Sequence, residues 1–214
     1  MFKQAISKDR QDLLELLVNR NVLKGFYLAG GTGAAIHLGH RLSEDFDFFS
    51  PHDINTFAMI HNLSNLGAFT LTGEARGTVH GLLMGIKISF LHYPYPLLYP
   101  GKNFAGCLIA DLRDIALMKI TAISGRGSKK DFIDLYFIVR ETLDLASLLI
   151  LFAKKYKHTG YSTYHLIRSL AYFEDADQEK DPIMLQPLDW GEIKQYFRQQ
   201  QKQLLKKSIN KNLS

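Results

Sequence analysis

The sequence predicts an α+β protein: a small mixed sheet with flanking helices, followed by a helical C-terminal half. Three observations carry this. Short runs of strand character recur between Gly25 and Tyr93, among them GFYLA, DFDFFS and GIKISFL. Beyond Asp111, apolar residues instead recur at helical spacing, as in DIALMKITAIS and DFIDLYFIV. Between these regimes Pro94, Pro96, Pro100 and Gly101 interrupt both patterns. The boundary is placed near Asp111, giving a core at 1–110 and a helical lobe at 111–214.

In chain order, leucines at 13, 14, 16 and 17 make Asp12 to Arg20 an amphipathic opening helix. Gly25 to Ala29 reads as a short strand entering a glycine turn at Gly30-Gly31. Gly33 to Gly39 reads as a helix and Asp45 to Ser50 as an acidic, aromatic strand. Asn55 to Leu66 is a helix ended by Gly67. Three strand-like runs follow from Ala68 to Tyr93, separated by Gly73 and by the Gly77–Gly85 region, with Glu74 in a turn. The last run alternates, with Ile86, Ile88 and Phe90 on one face and Lys87 and Ser89 on the other. Helices are expected at Ile115 to Ser124, Lys130 to Thr142, Leu145 to Tyr156 and Thr163 to Phe173. A proline-broken linker spans Asp177 to Pro187, before a final helix from about Asp189 to Lys207.

Composition excludes several classes. At 214 residues, 46% hydrophobic and 22% charged, the chain is neither disordered nor fibrous. Its first residues, MFKQAISKDRQ, lack the apolar core of a secretory signal, and no apolar run approaches the ~20 residues of a membrane span. A soluble, cytoplasmic protein is expected. The single cysteine, Cys107, allows no internal disulfide or cysteine-based zinc site and reads as a packed residue. His37, His40, His52 and His61 show no zinc-type pairing and are expected at the surface. The net charge of +5 is compatible with a polyanionic partner, its excess falling on Lys202, Lys206, Lys207 and Lys211.

The most informative segment is LAGGTGAAIHLGHRLSEDFDFFS, Leu28 to Ser50. Asp45 and Asp47, two apart on a strand, project from one face while Phe46 and Phe48 enter the core. Paired carboxylates aimed at one point repel unless a cation lies between them, and Mg²⁺ with few carboxylates plus substrate phosphates is the usual form. Gly30 and Gly31 can bring backbone N–H groups close to phosphate, Thr32 adds a hydroxyl donor, and the following helix directs its positive end the same way. Together these features read as a nucleotide–metal site. GRGSKK at Gly125 lacks the spacing of a Walker loop, and no G-x-S-x-G elbow is present.

Gly-Gly, a short helix and Asp-x-Asp resemble the signature of the nucleotidyltransferase superfamily. The fuller string GGT…HRLSEDFDFF, with the later block DLRDIALMKITAISGRGSKKDFIDLYFIV, resembles the AbiEii/AbiGii toxin family. Lys119, Ala122 and Arg126 match one motif of the second block; Lys130, Asp131 and Asp134 match the other. The resemblance implies a nucleotidyltransferase-like core whose site the helical lobe completes. Arg41 and Ser43 would join the NTP-binding set, with Arg41 on phosphate or braced against a carboxylate. Lys119 and Arg126, seven apart and so on one helix face, would meet the triphosphate. Asp131 becomes the candidate general base or acceptor-positioning carboxylate, while Asp134 either joins it or pairs with Arg126 or Lys130. The wider superfamily often adds a third metal carboxylate on a later strand; the best candidate strand here offers Ser89 and no acid, Glu74 between glycines in a turn is the other candidate, and Asp131 is a substitute, which leaves one or two metals open.

The implied activity is metal-dependent transfer of a nucleoside monophosphate from an NTP to an acceptor hydroxyl, with Mg²⁺ (or Mn²⁺) and release of pyrophosphate. The resemblance implies the toxin of a toxin–antitoxin or phage-defence pair, with a cognate antitoxin and with RNA, the tRNA 3′ end included, as acceptor. Two alternatives stand beside it: transfer to a small-molecule or protein hydroxyl, and a catalytically inactive nucleotide- or RNA-binding module of the same fold.

Overall fold

The computed structural model describes residues 1–211, and side chains for residues 1–207. Of the basic residues near the end, the Lys211 side chain lies outside that description. The chain forms two compact units, Met1–Asp111 and Leu112–Ser214.

The first unit opens with α1 (Lys8–Asn19), whose Leu13, Leu14 and Leu17 are buried. It continues through β1 (Tyr27–Leu28), α2 (Gly30–Leu38), β2 (Phe46–Ser50) and α3 (Thr56–Ser64) to β3 (Phe69–Ala75), β4 (Thr78–Leu83) and β5 (Ile86–His92). A short hairpin, β6 (Lys102–Phe104) and β7 (Cys107–Ile109), completes it. The seven described strands form one mixed sheet in the order β3-β4-β5-β2-β1-β7-β6. Central β2 runs parallel to β5 and antiparallel to β1.

Alternation along β2 puts Phe46 and Phe48 at 0% exposure while Asp47 and Phe49 are half-buried. Phe48 stacks on Phe46 at 5.7 Å and on Phe90 of β5 at 5.2 Å. Deleting one such ring typically costs about 3–5 kcal/mol, so this aromatic layer anchors the strand that carries the acidic pair.

Several expectations change. Gly73 does not separate two strands: it marks a bulge within β3, where the register shifts between Leu71 and Gly73. Glu74 therefore lies in β3, paired with Val79. The region read as a connector between Gly77 and Gly85 is β4 itself, bounded by turns at positive-φ Gly77 and Gly85. The β6–β7 hairpin was not legible, because three-residue strands are too short to show alternation. Cys107 is packed as expected, and burial pushes its thiol up to about 11, away from nucleophilic use. His40 is not at the surface but fully buried.

The second unit is helical: α4 (Leu112–Arg126), α5 (Lys129–Glu141), α6 (Leu145–Lys155), α7 (Thr163–Ser169), α8 (Glu174–Asp177) and α9 (Trp190–Lys211). Side chains of Ser128, Asp144 and Ser162 cap α5, α6 and α7 as acceptors, so the sequence itself sets these starts. Phe132 packs against Phe173 at 4.9 Å and Phe197 at 5.5 Å, joining α5 to α9. A buried ion pair not foreseen from sequence, Lys155 Nζ to Asp114 Oδ1 at 2.6 Å, ties α6 to α4. Burial holds the Lys155 ammonium below its ordinary value, opposed by the Asp114 carboxylate. Lys202, Lys206 and Lys207 are exposed on α9 and do not form a loose tail.

His37 near the end of α2 donates from Nε2 to the Ala110 carbonyl at 2.9 Å. Burial lowers its pKa from 6.5, outweighing that hydrogen bond. Below about pH 6.5 the unfolded chain therefore binds a proton that the native state resists, so stability falls with pH. Urea midpoints should drop between neutral pH and pH ~5 more steeply in wild type than in His37→Gln.

Candidate active site

The glycine turn and the acidic strand meet directly. Gly30 has φ +63°, which L side chains rarely adopt, and a Cβ there would lie 3.1 Å from Asp47 Oδ2. The Ala29 N–H donates to the Asp47 carbonyl at 3.2 Å, fixing the turn against β2. The glycine pair does not precede the helix, as the sequence suggested; it forms the first turn of α2. First-turn N–H groups have no partner one turn back and carry the positive end of the helix, so Gly30 and Gly31 place that end beside a carboxylate.

Asp45 sits immediately before β2 and Asp47 within it, both half-buried. Lys87 of β5 approaches Asp45 Oδ2 at 3.9 Å, with both side chains about half exposed (57% and 45%), so water screens the contact. Alternation along β5 puts Lys87 on its polar face, but only the pairing of β5 with β2 brings it to Asp45. Ser89 is the register partner of Asp47, and His80 that of Ser89. Ser89 Oγ and His80 Nδ1 share a hydrogen bond at 3.0 Å. The polar row across β2, β5 and β4 is thus Asp47, Ser89, His80. Among the described residues no three His, Cys, Asp or Glu side chains gather as a metal cluster. The Asp45/Asp47 pair is the candidate ligand set, and two carboxylates suit a hard cation completed by phosphate and water oxygens.

Thr32, Arg41 and Ser43 are buried behind this pair. The Thr32 hydroxyl donates to the Asp45 carbonyl and lies 2.8 Å from Ser43 Oγ. Arg41 Nη1 donates to the Leu42 carbonyl at 3.0 Å and reaches Ser43 Oγ at 3.5 Å. These three brace the loop leading into Asp45. The Thr32 hydroxyl, expected as a phosphate donor, clamps the backbone at Asp45.

In the helical unit Lys119 is nearly buried, its Nζ 2.8 Å from Asp131 Oδ1 and 2.7 Å from Asp134 Oδ2. The other Asp131 oxygen accepts from the Ser128 N–H and hydroxyl, closing a capping box at the start of α5. Asp134 is fully buried and pairs with Lys119, not with Arg126 or Lys130. Arg126, at the end of α4, has a side chain 84% exposed, with Asp175 only 3.9 Å from its Nε. Lys119 and Arg126 therefore do not share an accessible stripe: one is clamped and the other solvated. Lys130 is exposed, whereas its neighbour Lys129, which sequence reading passed over, is buried on Asp181 and the Glu179 carbonyl.

A family model described as "Nucleotidyl transferase AbiEii toxin, Type IV TA system" matches residues 88–208, more than half of the chain. The chain belongs to that family. As an AbiEii member it is a nucleotidyltransferase. The matched stretch includes Lys119, Arg126, Asp131 and Asp134 but begins after Asp47. The uncharacterized protein aq_aa25 of Aquifex aeolicus (strain VF5) is 40% identical over 205 residues, covering 94% of this chain and 98% of its own. The crystal structure of JHP933 from Helicobacter pylori shares the fold, with TM-score 0.55 and 20% identity over 100% of this chain and 98% of that one. A second H. pylori structure matches at TM-score 0.56 and 20% identity, over 99% and 98% of the two chains.

Two stability outcomes follow from the site. Lys119→Met leaves Asp134 charged, buried and without its lysine partner, so it should destabilise by about 3–5 kcal/mol; Lys119→Met/Asp134→Leu should recover most of that in denaturant titrations. Gly30→Ala should cost about 1–2 kcal/mol from backbone conformation alone, and more if the new methyl displaces the Asp47 carboxylate.

Proposed function

We propose that this AbiEii member transfers a nucleoside monophosphate from an NTP to an RNA hydroxyl, the tRNA 3′ end included, using Mg²⁺ (or Mn²⁺). The acceptor oxygen forms a bond to the α-phosphorus, the bond to the bridging oxygen breaks, pyrophosphate leaves and the hydroxyl proton passes to solvent or a basic group. The observation that carries the reading is the approach of Gly30 to Asp47 beside Asp45, which joins a phosphate-type helix turn to a paired-carboxylate face.

Asp45 and Asp47 would hold the cation, which when bound neutralises phosphate charge and lowers the pKa of the attacking hydroxyl. Gly30 and Gly31 would present backbone N–H groups to phosphate oxygens. Thr32, Arg41 and Ser43 keep Asp45 in place. Lys119 would meet the triphosphate, its ammonium held by Asp131 and Asp134 so that little reorganisation is needed. Asp131, occupied by Lys119 and Ser128, acts here as a positioning residue more than as a base. Exposed Arg126 is free of tight packing and suits a mobile contact to the leaving group. The biological reading is a cytoplasmic toxin restrained by a cognate antitoxin.

A second reading, nucleotide or RNA binding without turnover, is favoured by one observation: Ser89, not a carboxylate, pairs with Asp47. Incubation with each α-labelled NTP, Mg²⁺ and total cellular RNA separates the outcomes. Label in RNA supports the main proposal, and label on protein or small metabolites moves the acceptor. Mg²⁺-dependent NTP binding without label anywhere selects the second reading.

Asp47→Asn tests the cation directly. Removing one of two repelling carboxylates should leave the ligand-free protein at least as stable as wild type. It should also abolish most of the melting-temperature gain given by Mg²⁺–NTP and lower transfer by several orders of magnitude. A variant that melts early without ligand, yet transfers at the wild-type rate, would sink the metal-site assignment.

A further inference from the structure

The helical unit holds a cavity of about 600 Å³ that none of the roles above uses. Ile123, Ser124 and Gly125 near the end of α4 form one side, and Tyr164, Arg168 and Tyr172 the other. Added at Gly125, a Cβ would meet nothing within 4 Å, so that wall is open backbone. Tyr164 and Arg168, four apart on α7, share one helix face, and Tyr172, just past the turn that follows, lines the same cavity. Both rings are exposed, 61% for Tyr164 and 56% for Tyr172. The Arg168 guanidinium lies 5.9 Å from the Tyr164 ring centre, and its Nη1 donates to the Tyr164 hydroxyl at 3.2 Å.

Large rings left in water are costly unless something covers them, and monomer surfaces seldom line a cavity with two of them. Two exposed rings with a guanidinium over one of them match unstacked bases joined by phosphate: the open ring faces stack on bases, and the cation meets the backbone charge. The volume is in the range of a small-ligand site and suits one or two nucleotides. His165 and Ser169, also lining the cavity, supply polar groups near base edges; His165 Nε2 already bonds the Ser124 carbonyl at 2.8 Å, which fixes the ring. The acidic Glu174 and Asp175 lie at the Tyr172 end, where Tyr172 donates to Glu174 and Asp175 faces Arg126. Charge therefore favours the phosphate at Arg168.

We infer that the Tyr164–Arg168–Tyr172 cavity is a stacking site for the single-stranded end of the acceptor RNA. This rests on the RNA-acceptor reading above and deepens it, assigning to the helical unit a contact that holds RNA without taking part in the chemistry.

The test is binding of a short fluorescent single-stranded RNA to the full chain, read by anisotropy. Tyr164→Ala/Tyr172→Ala should weaken binding about 10- to 100-fold, and Tyr164→Phe/Tyr172→Phe should stay near wild type because the stacking faces remain. Arg168→Ala should reduce the salt dependence by about one phosphate contact. In the unmodified protein, RNA carrying 5-iodouridine should photocrosslink to residues 163–172, a result that depends on no variant folding. Equal binding by wild type and the alanine pair, crosslinks only elsewhere, or displacement of the RNA from the tyrosines by free NTP would each overturn the assignment. Wild-type-level labelling of RNA by the alanine pair would leave the proposed reaction standing and remove this site. RNA held through the tyrosines but never labelled would do the reverse.

Discussion

The first unit depends on one close approach. Gly30 passes close to the Asp47 carboxylate, where a Cβ would crowd Oδ2 at 3.1 Å, and its φ of +63° turns the chain from β1 directly into α2. The same turn bonds Ala29 to the Asp47 carbonyl, so strand, helix start and carboxylate are fixed by one constraint. Phe46 and Phe48 resist movement of β2 from the core side, while Thr32 and Ser43 resist movement of Asp45 from behind. Two carboxylates, two residues apart on one strand face, are thereby held from both sides. Under the proposed function, a cation bound there would offset their charge.

The second unit resolves the same problem with the opposite charge. A buried lysine is unfavourable unless it is paired, and Lys119 is paired twice, with Asp131 and Asp134. Asp131 in turn begins α5 through the Ser128 capping box, so the position of the ammonium is tied to where that helix starts. Stability and proposed function therefore share residues here. Loss of activity in a single variant at Lys119 would not by itself distinguish a lost phosphate contact from a collapsed ion-pair cluster, whereas the double replacement of Lys119 and Asp134 separates the two.

Much of this was legible in the sequence, for reasons tied to particular residues. Alternation in DFDFFS exposed the direction of Asp47, because period-two burial leaves its mark even in a five-residue strand. The helix starts expected at Lys130, Leu145 and Thr163 fall within one residue of the observed ones, where Ser128, Asp144 and Ser162 cap the helices. The β6–β7 hairpin left no such pattern in three-residue strands, and Gly73 imitated a turn because a bulge and a turn both favour glycine. Burial of charge was the hardest to see. Lys119, Lys129 and Lys155 look like solvent-facing lysines in the sequence, and only tertiary contacts with Asp134, Asp181 and Asp114 reveal them as buried.

The row formed by Asp47, Ser89 and His80 bears on how the chemistry could proceed with two carboxylates. In register beside Asp47, a third acid would add negative charge to that of Asp45 and Asp47; a serine bonded to histidine keeps the row polar without adding any. Lys87 beside Asp45 moves the local balance further in the same direction. A site built this way holds less negative charge of its own and leaves more of the cation's coordination to triphosphate oxygens. The affinity for metal should then depend on the nucleotide, so that under the proposed reaction the cation and the NTP arrive as partners, each completing the site for the other.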